Sequence, residues 1–427
     1  MQSSALFLGI DFGTSGARAI AIDATGAIQA QVSLQYPETL PDQPLTDRWQ
    51  QTLYKLLEQL PISVRSNLAG IAIDGTSSTV LLCDQQGQPI ADPILYNDSR
   101  AAAQVAILQT LAPPNHTVLS ATSSLAKLLW YADQPYFAQA CYLLHQADWL
   151  SFLLHGQLGI SDYHNSLKLG YDVETLAYPV WLDTHPLRYL LPQVLVPGQA
   201  IAPIRSALAQ RFSIPQTCFI HAGTTDSIAA FLASGAQQPG EAVTSLGSTL
   251  VLKLLSSTRI EEARYGIYSH RLGNLWLVGG ASNTGGAVLR KFFTDTEIAQ
   301  LSQHIDPNQP TQYDYYPLLQ PGDRFPINNP TLPPRLEPRP DNPQEFLQGL
   351  LEGIARIETQ GYRLLETLGA TPLTHVYTAG GGAKNTVWMQ IRAKSLGIPV
   401  QVAPYTEAAY GTAQLAAGLD RTADRSA

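Results

Sequence analysis

Ala5-Leu-Phe-Leu-Gly-Ile10, Asp11-Phe-Gly-Thr-Ser-Gly16 and Ala17-Arg-Ala-Ile-Ala-Ile22 follow one another without a break. The first is a short apolar run ended by turn residues, the pattern of a buried strand, and the third alternates as a second strand. Asp23-Ala-Thr-Gly26 is a tight turn from which residues 27–34 leave as a third strand. The chain therefore opens with an antiparallel meander. Leu68-Ala-Gly-Ile-Ala-Ile73 reads as a further buried strand, stopping at Asp74-Gly75.

The theme returns later. Glu241-Ala-Val-Thr-Ser-Leu246, a Gly247-Ser-Thr249 turn and residues 250–255 make a second strand–turn–strand unit. Helical patterns cover 124–131 and 148–154. Apolar residues at 346, 350, 354, 357, 364 and 368 form one face of a longer helix ended by Gly369. Val376-Tyr-Thr-Ala379 is a strand running into Gly380-Gly-Gly382, and Thr406 is placed to N-cap a helix through 408–417. The stretch 308–343, rich in proline and aspartate, reads as an excursion from the sheets. Two β-rich starts, each with a Gly/Thr/Ser turn, predict two similar α/β halves facing a cleft.

At 427 residues the chain is long enough for two domains, and 45% hydrophobic with 14% charged residues suits a globular core. A net charge of −8 without a basic tract argues against nucleic-acid or anionic-membrane partners. Cys83, Cys141 and Cys218 are far apart and show no metal-type spacing, which points to a reducing compartment. The apolar run at 5–10 is too short for a signal peptide, and nowhere does an apolar stretch reach about 18 residues, so a cytoplasmic protein is expected.

Four segments carry candidate chemistry. In the first turn, Gly13 and Gly16 permit close backbone approach, Thr14 and Ser15 add hydroxyls, and successive N–H groups can nest phosphate oxygens. Asp11 at the strand end suits a magnesium ion or its waters. The same residues also suit a plain hairpin turn. Ser245-Leu-Gly-Ser-Thr249 has the same ingredients, and two such turns suit a polyphosphate. Neither turn contains a lysine and the chain lacks a P-loop, so neutralising phosphate would fall to backbone N–H groups and magnesium. In His221-Ala-Gly-Thr-Thr-Asp-Ser227, Asp226 reads either as a helix N-cap or as a general base toward a substrate hydroxyl. In Tyr377-Thr-Ala-Gly-Gly-Gly-Ala-Lys-Asn-Thr-Val-Trp388, three glycines after a strand let a flat ligand lie on the backbone. Asn385 offers hydrogen bonds to a base or ribose, and Trp388 reads either as a purine border or as core.

In this order the segments resemble the FGGY carbohydrate kinase family of the actin-like ATPase fold, over nearly the whole chain. Asp11-Phe-Gly-Thr-Ser-Gly-Ala-Arg18 is similar to its first phosphate motif and Ser245-Leu-Gly-Ser-Thr249 to its second. Ala222-Gly-Thr-Thr-Asp226 resembles the catalytic-aspartate segment, and Gly279-Gly-Ala-Ser-Asn283 with Gly285-Gly286 a cleft-lining one. Thr378-Ala-Gly-Gly-Gly-Ala-Lys-Asn385 with Trp388 is similar to the adenosine motif, followed by Thr406-Glu-Ala-Ala-Tyr-Gly-Thr-Ala413. Ile73-Asp-Gly-Thr-Ser77, Ser161-Asp-Tyr-His-Asn165 and Thr224-Thr-Asp-Ser227 resemble the compact cyanobacterial and plant branch assigned as D-ribulose kinase. Where xylulokinases usually carry Gln-Met-His, this chain has Gly75-Thr-Ser-Ser-Thr79. Tyr96-Asn-Asp-Ser-Arg100 matches the usual Trp-x-Asp-x-Arg only in part, and the 122–131 stretch keeps Lys127 and Trp130 of a family pattern.

The resemblance implies an α/β protein of two actin-like (RNase H-like) domains around a central cleft. Residues 1–233 would bind sugar, 234–404 would bind ATP, and a helix at 405–420 would return to the first domain. It implies Asp226 as general base and Asp11, Ser15 and Ser77 as sugar contacts, with Asp11 also facing magnesium. Gly13, Thr14, Gly247, Ser248, Thr249, Gly285, Gly381, Gly382, Asn385 and Trp388 would line the ATP site. The expected reaction is ATP-dependent phosphorylation of a ketopentose, D-ribulose to D-ribulose 5-phosphate. D-Xylulose or a polyol such as glycerol are the alternatives within kinases. An actin-like nucleotide switch and a sugar sensor without turnover are the alternatives outside them. The partners expected are sugar, ATP and Mg2+, with no nucleic acid or membrane, in a monomer or small homo-oligomer.

Overall fold

The structure, a computed structural model, describes residues 5–36 and 43–419. The chain divides into two compact units. The first runs to Ala233 and takes the chain back from Glu407; the second is Ser234–Thr406.

In the first unit β1 (Leu6–Phe12), β2 (Gly16–Asp23) and β3 (Ile28–Gln35) form the antiparallel meander, and β4 (Leu68–Gly75) lies parallel to β1. β5 (Val80–Cys83) pairs with β6 (Tyr142–His145), and β7 (Ile160–Asp162) with β8 (Gln193–Leu195), as two small sheets. β9 (Ala200–Pro203) and β10 (Phe219–His221) extend the main sheet to the order β3-β2-β1-β4-β10-β9, and β11 (Thr224–Thr225) also pairs with β4. The central strands are continuous apolar runs because both faces are covered. Helices Leu45–Gln59 and Gln146–His155 supply Trp49, Leu53, Trp149 and Leu150 to one core. Helix Ala408–Ala417, built largely of small residues, packs against β1, β2 and β4. Its N-cap is Glu407, without a side-chain cap bond, so Thr406 stands one residue too early to cap it. Residue 420, the last of the helix expected over 405–420, lies outside the described residues.

In the second unit β12 (Glu241–Leu246), β13 (Leu250–Ser256), β14 (His270–Leu272), β15 (Leu275–Ser282), β16 (His375–Ala379) and β17 (Val400–Val402) take the order β14-β15-β13-β12-β16-β17. β12, β13 and β15 are antiparallel, whereas β12, β16 and β17 are parallel. Leaving aside the edge strand β14, this is the meander-then-parallel arrangement of the first unit. The duplicated strand–turn–strand signal thus belongs to a duplicated sheet. Helices Pro343–Thr367 and Thr386–Leu396 supply Phe346, Leu350, Ile354 and Trp388 to the core of this unit. The stretch 308–343 adds no strand to either main sheet but sends Tyr315, Leu318 and Phe325 into that core. No helix among the described residues is long and apolar enough to cross a membrane.

Candidate active site

Three carboxylates meet where neighbouring strands of the first unit end. Asp11 on β1 lies opposite Asp74 on β4, and Thr224 and Thr225 of β11 lie opposite Asp74 and Gly75, which sets Asp226 directly beyond them. Gly223 makes this approach possible, since a Cβ there would stand 1.8 Å from the Ile73 carbonyl oxygen. Asp11 is 6% exposed and Asp74 is fully buried. Burial is the main reason that Asp74 is pushed well above the usual carboxylate range, and the charges of Asp11 and Asp226 add to it. Asp11 is raised too, again mainly by burial, while its hydrogen bond with Asp74 pulls the other way. Desolvation and like charge thus both favour the neutral form of Asp74. Thr412 Oγ1, from the C-terminal helix, donates to Asp74 Oδ2. Arg18 reaches Asp11 Oδ2 at 3.7 Å and Glu407 Oε2 at 3.2 Å. Asp226 Oδ1 accepts from the Ser227 N–H at 2.6 Å, and His164 Nδ1 is 2.7 Å from Thr224 Oγ1.

The segment after β4 is held largely by its own hydrogen bonds. Thr76 and Thr79 are buried and hydrogen-bonded to each other at 2.6 Å, and Gln146 Oε1 accepts from Thr76 N–H at 3.0 Å and Thr76 Oγ1 at 2.9 Å. Ser78 is buried as well. Of residues 75–79, only Ser77 is not buried, so the four-hydroxyl loop of the sequence reduces to one hydroxyl facing outward. Thr14 and Ser15 are exposed on the first turn, which Tyr36 holds through Tyr36 N–H to Ser15 O and Tyr36 O–H to Gly13 O, both at 3.0 Å.

In the second unit the two glycine turns adjoin because β12 and β16 are parallel, with Ser245 opposite Ala379. Gly380 has φ +83°, and a Cβ there would lie 2.7 Å from the Leu246 carbonyl oxygen, so this position requires glycine. Gly286 N–H donates to Gly247 O at 2.9 Å and Ala287 N–H to Ser248 O at 3.1 Å, packing the Gly285-Gly286 segment on the second turn. Beside them is a cavity of about 490 Å³ lined by Leu246, Arg290, Ser302, Gly381, Asn385 and Trp388 among others, a size common for small-ligand pockets. Trp388 is part of the core, donating Nε1–H to Leu351 O at 3.1 Å, and only bounds the cavity. Asn385 Oδ1 caps the following helix at Trp388 N–H (2.9 Å), and its Nδ2 donates to Ser302 Oγ at 2.8 Å.

The structure thus brings Asp11, Ser77 and Asp226 onto the first unit. It brings Gly247, Ser248, Thr249, Gly285, Gly381, Gly382, Asn385 and Trp388 onto the second. Sequence reasoning passed over Asp74 and Arg290. Asp74 had a visible signal, an acid ending an apolar strand just as Asp11 does. Arg290 Nη2 donates to Ser248 Oγ at 3.1 Å, so the second turn has a side-chain cation after all.

Residues 6–233 match the N-terminal domain and residues 242–418 the C-terminal domain of the FGGY family of carbohydrate kinases. The chain is 28% identical over 445 residues to a xylulose kinase of Streptomyces coelicolor, covering 97% of this chain and 88% of that protein. Its fold is similar to that of a xylulose kinase from Rhodospirillum rubrum, with TM-score 0.82, 21% identity, and 96% and 89% of the two chains covered. It is also similar to that of a Plasmodium falciparum glycerol kinase with ADP, with TM-score 0.81, 18% identity, and 98% and 90% covered. With both halves matched in order along its length, the chain belongs to the FGGY family of carbohydrate kinases, two-domain α/β proteins of the actin-like fold that phosphorylate sugars with ATP.

Proposed function

We propose that this chain phosphorylates a ketopentose, D-ribulose ahead of D-xylulose, at its terminal hydroxyl O5. The observation that carries the reading is the convergence of Asp11, Asp74 and Asp226 at adjoining strand ends, with the partly exposed Ser77 three residues after Asp74 in the chain. Asp226 takes the O5 proton, O5 forms its bond to the γ-phosphorus, and the bond to the bridging oxygen of ADP breaks. Asp11, Ser15 and Ser77 contact the sugar. Gly13 and Thr14, with Gly247, Ser248, Thr249 and Gly285, receive the phosphates, and Arg290 adds a positive charge. The cavity beside Gly381, Gly382 and Asn385 takes the adenosine, with Trp388 as its wall.

Magnesium keeps several waters and is held by one or two carboxylates together with substrate phosphates. The donor set fits that mode. Among the described residues there is no cage of three or more His, Cys, Asp or Glu ligands. The Asp11 and Asp226 carboxylates repel each other, and Asp74 Oδ1 is buried without a hydrogen-bond donor. Asp11 would hold the ion, which when bound neutralises charge on the transferred phosphoryl group. The reading places the enzyme in a reducing, cytoplasmic compartment, in keeping with three free cysteines.

The preference for D-ribulose rests on the loop after β4. The two sugars differ only in configuration at C3, and a site built to pair a hydroxyl rejects a partner that leaves its own groups unpaired, by up to about 10⁴-fold. Ser77 offers one short hydroxyl where xylulokinases carry longer side chains. D-Xylulose is the second reading, favoured by the name of the relative at 28% identity. Coupled ADP release over D-ribulose, D-xylulose and glycerol tests it. D-Ribulose should give the highest kcat/KM, and Ser77→Ala should weaken sugar use while sparing any slow sugar-independent hydrolysis. A higher value for D-xylulose would remove the loop argument and leave the kinase. ATP hydrolysis that ignores every sugar would point to a nucleotide switch instead.

The nucleotide assignment has its own test. A Cβ on Gly381 meets nothing within 4 Å, whereas one on Gly382 would strike Trp388 and Leu246 at under 3 Å. Gly381→Val should therefore fold normally and project only into the space that adenosine would fill. Its KM for ATP should rise about tenfold or more, equivalent to about 1.4 kcal/mol, with little change for sugar. A selective loss of sugar affinity would reverse the assignment of the two units.

A further inference from the structure

Lys127 has its side chain in the interior of the first unit, on helix Ser124–Ala132 among Leu125, Ala126, Leu128 and Leu129. An ammonium group taken out of water is unfavourable unless it is well paired. Here its partners are two backbone carbonyls: Nζ donates to Ser78 O and to Leu95 O, each at 2.7 Å. Burial brings its pKa down to about 7, opposed by the charge of Asp98.

Those two carbonyls belong to two segments that meet each other, one of them the turn that follows β4. Val80 and Ile94 exchange backbone hydrogen bonds at 3.1 and 2.9 Å, and Tyr96 N–H donates to Thr79 Oγ1 at 3.0 Å. Lys127 ties the same pair of segments at Ser78, one residue nearer in the chain to Asp74. Ser78 needs such a tie, because its φ of +65° is a left-handed conformation that non-glycine residues rarely keep unless their surroundings enforce it. On the other side Thr76 is fixed by Gln146. Ser77 therefore projects from a turn gripped at both neighbours. A well-packed apolar side chain could have filled the Lys127 site at equal or better stability, so stability alone does not explain an ammonium there.

We propose that Lys127 is a positioning residue for the sugar: by drawing the Ser78 and Leu95 carbonyls together it fixes the turn that presents Ser77. The proposal rests on the reading that Ser77 meets the sugar, and the test separates the two.

Lys127→Met and Ser77→Ala are prepared side by side, and kcat and KM are measured for D-ribulose, D-xylulose and ATP. Lys127→Met should raise the sugar KM about tenfold or more and leave the ATP KM within about twofold, with discrimination between the two pentuloses reduced. A merely structural role would move both KM values together or neither. If Ser77→Ala raises the sugar KM and folded Lys127→Met does not, the positioning role is wrong while the sugar reading stands. If neither changes it, both fall. Should Lys127→Met not fold, Lys127→Arg keeps the charge and much of the volume, but its planar fork does not reproduce a point donor between two carbonyls. The same selective rise in sugar KM is expected there, and an unchanged value would overturn the proposal equally.

Discussion

Asp226→Asn should leave a folded protein that still binds sugar and ATP but transfers the phosphoryl group about 10²–10⁴-fold more slowly. Asn keeps the size of Asp and an acceptor oxygen for the Ser227 N–H, now at 2.6 Å. It is also as good an N-cap as Asp, so a purely capping role predicts an unchanged protein. What Asn cannot do is take a proton from O5. The comparison therefore separates the two readings of this residue, using kcat by coupled ADP release, unfolding by urea, and sugar binding by calorimetry. A kcat near that of the unchanged protein, with normal stability, would remove Asp226 as the base. Lost transfer together with lost stability would assign the residue to the fold.

How much of this site could be read in the chain depended on the range of the interactions. The meander and its return near residue 241 are patterns of consecutive residues, and both sheets follow from them. Asp11 and Asp226 stand in short glycine-rich segments and were legible as well. Asp74 was visible as an acid ending an apolar strand, but nothing local gives its partners. Only the parallel register of β1 and β4 puts it against Asp11, and only a helix over 330 positions away brings Thr412 to it. In the loop at 75–79, too, the partners lie far along the chain. Thr76 looks free until Gln146, 70 residues on, accepts from it. Lys127 and Arg290 are likewise explained by partners far along the chain, Ser78 and Leu95 for the one and Ser248 for the other.

The same long-range logic makes Glu358→Ala the substitution with the largest expected effect on stability. Glu358 and Arg392 are both fully buried in the second unit and form a bidentate pair, Nε to Oε2 at 2.6 Å and Nη2 to Oε1 at 2.7 Å. Arg392 Nη1 also donates to Thr378 Oγ1 at 2.7 Å, and Thr244 Oγ1 donates to Glu358 Oε1 while lying 2.8 Å from the Tyr362 hydroxyl. Thr244 and Thr378 are register partners on β12 and β16, the strands that end in the two glycine turns. The pair thus joins two helices to the two strands that aim those turns. Removing the carboxylate strands a guanidinium in a dry interior, which typically costs about 3–5 kcal/mol. Urea unfolding of Glu358→Ala should show a loss of that size in the transition of the second unit, accompanied by a raised KM for ATP. The double change Glu358→Leu with Arg392→Leu should recover much of the loss, since a buried ion pair replaced by packed apolar groups is often near neutral. A loss below about 1 kcal/mol for the single change would mean that Arg392 finds water or another partner once Glu358 is gone. The ATP turns would then owe their placement to β12 and β16 alone.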